Sequence, residues 1–62
     1  MSKKNQALIR MHLEEYLRET IEREKYVPEW YEVLAFCLGY YNLIDLDILA
    51  VVRELHREGL IR

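Results

Sequence analysis

Sixty-two residues allow one domain, and a chain this short buries only about 60% of its unfolded surface, so a partner subunit is the natural source of added stability. It is 52% hydrophobic and 32% charged, apolar enough to fold, yet it has no stretch near the ~18 uncharged apolar residues that a bilayer helix needs. Its net charge of −2, with acids and bases interspersed, lacks the basic surplus from which nucleic-acid binders draw most of their affinity.

The first element is expected to be a helix over about 3–25. Ile9, Leu13, Tyr16, Leu17 and Ile21 recur at three- and four-residue spacing and form one apolar stripe. Glu14 with Arg18, and Glu19 with Arg23, are i,i+4 pairs in the favourable order. Leu8 and Met11 point away from that stripe and are candidates for a protein interface. The opening residues read as no secretory signal, being followed by Arg10, His12, Glu14 and Glu15. With the single cysteine, Cys37, unable to form an internal disulfide, the expected compartment is a reducing cytoplasm.

The second helix is expected over about 28–39, with Pro28 at its first position, Glu29 and Glu32 facing the positive end of the dipole, and Gly39 in the left-handed closing position. At about 100° per residue, Trp30, Tyr31, Val33, Leu34, Ala35, Cys37 and Leu38 cover most of its circumference. Two other helices cannot enclose such a surface. Phe36, Tyr40 and Trp30 are therefore expected to form an aromatic patch covered by another chain.

The third helix is expected over about 45–58. Asp45 is a good N-cap, Ile44 and Leu49 can form a hydrophobic staple, and Gly59 with Leu60 fits a Schellman ending. Ile48, Val51, Val52 and Leu55 form its buried face. The shared core is expected to contain Ile9, Leu13, Leu17, Ile21, Leu34, Leu38, Ile48, Val52 and Leu55.

Residues 33–61 carry a resemblance to known proteins. Leu34-Ala35-x-x-Leu38-Gly39 looks like the first helix and turn of a helix-turn-helix, and Val51, Leu55 and Glu58-Gly59-Leu60-Ile61 look like the second helix of winged-helix regulators. The connection from Tyr40 to Ile44 is about three residues longer than the usual tight turn, and no wing hairpin follows by Arg62. The resemblance implies that the third helix would read DNA through Leu46, Asp47, Ala50, Arg53, Glu54 and Arg57, with Arg53 and Arg57 on phosphates. Lys3, Lys4 and Arg10 would form a basic arm. Asp45 and Asp47 at the helix start would repel the backbone on approach.

No catalytic, cofactor or metal signature is visible. Cys37 sits in an apolar run, His12 and His56 stand on different helices, and there is no Gly-rich phosphate loop. The expected protein is thus a single all-α domain over 1–62 with three helices and a helix-turn-helix-like second half. It is not an enzyme and needs no cofactor. Its expected role is that of a small regulatory adaptor, probed most directly at Leu8, Met11, Trp30, Phe36 and Tyr40, that binds another protein and forms a homodimer. The alternative is a dimeric DNA-binding transcriptional regulator using Arg53, Arg57, Lys3 and Lys4.

Overall fold

A computed structural model describes residues 3–62, with the backbone alone at Lys3. It is all-α: α1 spans Lys3–Glu24, α2 Trp30–Tyr41 and α3 Leu46–Arg57. α3 is the central element and packs against both of the others. No helix among the described residues is long and apolar enough to cross a membrane.

Local signals set most of the helix ends. Lys25 closes α1 in the left-handed region (φ 63°), its N–H donating to the Ile21 carbonyl at 2.9 Å. Asp45 caps α3, its carboxylate accepting from Ile48 N at 2.9 Å. At the other end Gly59 takes φ +80°. Its N–H donates to the His56 carbonyl and that of Leu60 to the Leu55 carbonyl, at 3.1 and 3.0 Å, which is the paired bonding of a Schellman motif.

α2 differs from expectation at both ends. It starts two residues later, because Glu29 rather than Pro28 occupies the entry: the Glu29 N–H donates to the Glu32 carboxylate at 3.3 Å. Pro28 is buried outside the helix, where its carbonyl accepts from Arg62 N at 3.0 Å while Trp30 N donates to the Arg62 carbonyl at 2.6 Å. These two bonds tie Arg62 to the α1–α2 connection. They carry Ile61 into the core. α2 also continues through Gly39 and closes at Asn42, which takes φ 63° with its N–H on the Leu38 carbonyl. Asn tolerates that conformation better than most residues.

The core is Ile9, Leu13, Leu17, Val33, Cys37, Ile48, Val51, Val52, Leu55 and Ile61. Three expected members are displaced. Ile21 is exposed because Thr20, one position earlier, takes the inward place near the end of α1. Leu38 is 53% exposed and Leu34 only partly buried, because α2 turns the smaller Val33 and Cys37 toward α3. The apolar residues surrounding α2 left two stripes to choose between. The narrower stripe lets the helices approach closely.

Candidate protein-binding surface

The displaced leucines belong to an apolar stripe on α2, with Leu38 exposed and Leu34 partly buried. Trp30, Leu34 and Leu38 follow one another at i, i+4 and i+8 along α2. Trp30 and Leu34 line a groove with Leu49, Val52, Arg53 and His56 of α3. Leu38 extends the stripe toward the C-terminus of α2, and Leu46, three residues before Leu49 and 66% exposed, extends it along α3. Trp30 is held edge-on to Tyr31 at 5.7 Å. Sequence reasoning missed this face by assigning Leu34 and Leu38 to the core. The signal was present: two adjacent apolar stripes on one helix cannot both face a single neighbour.

The expected patch of Trp30, Phe36 and Tyr40 is divided between two sides of α2. Phe36 is half-buried rather than outward-facing, stacked on Tyr16 of α1 at 4.0 Å. Tyr40 is exposed and stacks on Phe36 at 5.5 Å, while Trp30 belongs to the groove on the α3 side. The Phe36 side forms a second cleft, lined by His12, Glu15, Tyr16, Glu19, Phe36 and Tyr40. His12 lies 5.6 Å from the Tyr40 ring, and its Nδ1 is within hydrogen-bond distance of the Tyr41 hydroxyl at 2.9 Å. Burial pushes the Tyr41 hydroxyl pKa up. These aromatics join α1 to α2: Tyr16 and Phe36 are partly buried in that contact, while His12 and Tyr40 remain exposed. Leu8 and Met11 remain exposed on α1, as expected.

The charged residues separate by face. Arg10 gathers three carboxylates: its Nε donates to Glu14 at 3.0 Å, its Nη1 and Nη2 to Glu58 at 3.0 and 2.7 Å, and its Nη1 also to Glu54. The fork on Glu58 is the two-pronged geometry that suits a guanidinium. These bonds raise the Arg10 pKa and lower that of Glu58. Arg10 is therefore a clasp between α1 and α3 and not part of a free basic arm. Asp47 is corrected in the same way. It is buried, and its carboxylate accepts from Asn5 Nδ2 at 2.7 Å and Gln6 Nε2 at 3.0 Å. It fastens the start of α3 to the start of α1 and does not occupy an outward reading position.

Arg53 and Arg57 are exposed on α3, and Lys4 is exposed on α1. The side chain of Lys3 lies outside the described residues. Arg53 makes no side-chain hydrogen bond or ion pair among the described residues, and it stands at the apolar groove. Cys37 is fully buried, and burial pushes its thiol up to about 11, far from the thiolate form a nucleophile or metal ligand needs. Among the described residues no group of three His, Cys, Asp or Glu side chains is placed to hold a metal. Comparison with known proteins found no matching family model, no matching curated protein and no matching solved structure.

Proposed function

We propose that this chain is a small regulatory adaptor that works by binding another protein through the exposed face of α2 and α3. The observation that carries the reading is the apolar stripe Trp30–Leu34–Leu38 beside Leu46 and Leu49, in which Leu34 packs partly on the core and the other four side chains stand exposed. Four of these side chains are between 41% and 66% exposed. Together they leave on the order of 400 Å² of side-chain surface in water, the size of the largest apolar patch on a typical monomer, which is often functional. Aromatic and large aliphatic anchors of this kind dominate the energy of protein interfaces.

The DNA-binding alternative draws support from exposed Arg53, Arg57 and Lys4. It loses Arg10, whose guanidinium is occupied by three glutamates, and it inherits a net acidic chain. Arg53 also stands among apolar side chains and not in a basic run.

Two measurements test the proposal together. A mobility shift with random and genomic duplexes at low and moderate salt should show no appreciable complex at physiological salt. Capture of a binding protein should survive nuclease and be lost with Leu38→Glu, a substitution at an exposed site that leaves the helical circular dichroism unchanged. Nanomolar duplex binding abolished by Arg53→Ala would replace this reading with the transcriptional regulator. Sedimentation at micromolar concentration reads the expected homodimer directly: about twice the monomer mass, unchanged by Leu38→Glu, puts self-association on a face other than the α2–α3 groove.

A further inference from the structure

We infer that the α2–α3 groove takes an amphipathic helix whose apolar anchors are flanked by carboxylates, carried by a protein other than this chain. The inference rests on the protein-binding reading and specifies the partner's chemistry. Its basis is the charge pattern around the groove.

The chain has eleven acidic residues, and none of them lines this groove. Glu14, Glu54 and Glu58 are drawn to Arg10 on the α1–α3 seam. Asp45 is committed to its cap and Asp47 to Asn5 and Gln6. The groove is lined instead by Trp30, Leu34, Leu49 and Val52, with Arg53 and His56 as its polar members. Arg53 makes no ion pair with any described residue even though the chain is acidic overall. A guanidinium beside an apolar trough has its donors arranged for a carboxylate, and its planar head loses less hydration than an ammonium on being covered.

Shape narrows the occupant further. α3 lines the groove from Leu49 to His56, about 10 Å at the rise of an α-helix, which matches some two turns of a partner helix with anchors at i and i+3 or i+4. A second copy offering this same groove would bring no carboxylate from its lining to meet Arg53. A nucleic acid needs several cations along a phosphate path, and the groove offers one arginine set among Trp and Leu.

The test uses the full chain, immobilised, against an mRNA-displayed library of helix-forming peptides with randomised faces, at physiological salt. The expected winners carry Leu, Ile or Phe anchors at helical spacing with Asp or Glu beside them. Affinity for a leading peptide should fall about tenfold or more with Arg53→Ala, the loss expected on removing a charge-assisted bond. Selection on Arg53→Glu should turn the flanking residues to Lys or Arg. Winners with the anchors but no acidic preference, unaffected by Arg53→Ala, would overturn the inference and leave apolar docking standing. No enrichment above bare matrix, or enrichment insensitive to Leu34→Glu and Leu38→Glu, would overturn the docking reading itself. A dimer that Leu38→Glu dissociates would give the groove to a second copy and count against a foreign partner.

Discussion

Two glycines of this chain should respond to alanine with opposite signs. Gly39 lies inside α2, and a Cβ built there meets nothing within 4 Å. Glycine in a helix interior costs about 0.5–1 kcal/mol relative to alanine, and with open space around the new methyl nothing offsets that gain. Gly39→Ala should therefore stabilise by about 0.5–1 kcal/mol, which for a domain of this size raises Tm by roughly 2–8 °C. Gly59 also has open space around its Cβ position but sits at φ +80°. The cost of Gly59→Ala is then purely conformational, about 1–2 kcal/mol, with Tm falling accordingly. Thermal and urea unfolding followed by circular dichroism measure both. A destabilised Gly39→Ala would mean that Gly39, not Asn42, closes α2 in the left-handed region, and the placement of Tyr40 and Tyr41 on that helix would fall with it.

Other expectations follow from the packing and the charges. Glu58 is held below the ordinary carboxyl value of 4.5 by the Arg10 guanidinium. Its contribution to stability is full above that value and drains away as pH falls through the lowered one. Arg10→Ala should thus lower stability at neutral pH and flatten the acid limb of the stability–pH curve; an unchanged limb would show that the clasp carries no folding energy. Asp47→Ala removes the acceptor shared by Asn5 and Gln6 and should destabilise by about 1–2 kcal/mol in urea titrations, whereas equal stability would return Asp47 to the surface. Thr20 Oγ1 is buried with no hydrogen-bond partner among the described residues, so Thr20→Val should be neutral or stabilising by up to about 1 kcal/mol, and a loss would reveal a bonded hydroxyl. Native Cys37 should react with a disulfide reagent at pH 8 only as fast as the fold opens, and at once in denaturant; rapid native labelling would contradict its burial.

The elements whose ends rest on local chemistry were legible in the sequence. Asp45 and the Gly59-Leu60 pair fix α3 through bonds spanning three to five residues, and each could be read from its own neighbourhood. α2 was legible as a helix and not as an orientation. Its apolar residues surround the axis, so no polar stripe marks which side faces solvent, and only packing against α3 selects Val33 and Cys37 over Leu34 and Leu38. The same ambiguity hid the groove and united Trp30 with Phe36 and Tyr40 in one expected patch. Asp47 was misplaced, and the backbone pairing of Arg62 went unread, for another reason: their partners, Asn5, Gln6, Pro28 and Trp30, lie more than thirty positions away. A spacing rule confined to one helix contains no information about such pairings.

Site-specific photocrosslinking tests the central claim most directly. A benzophenone amino acid placed at position 38 or 46 stands on the proposed binding face, and one at position 18 or 22 stands on the exposed side of α1. Irradiated in cells that make the protein and then treated with nuclease, positions 38 and 46 should give one discrete protein adduct and positions 18 and 22 none. Adducts to nucleic acid, or equal yields from both sets of positions, would contradict a protein-binding face built from α2 and α3.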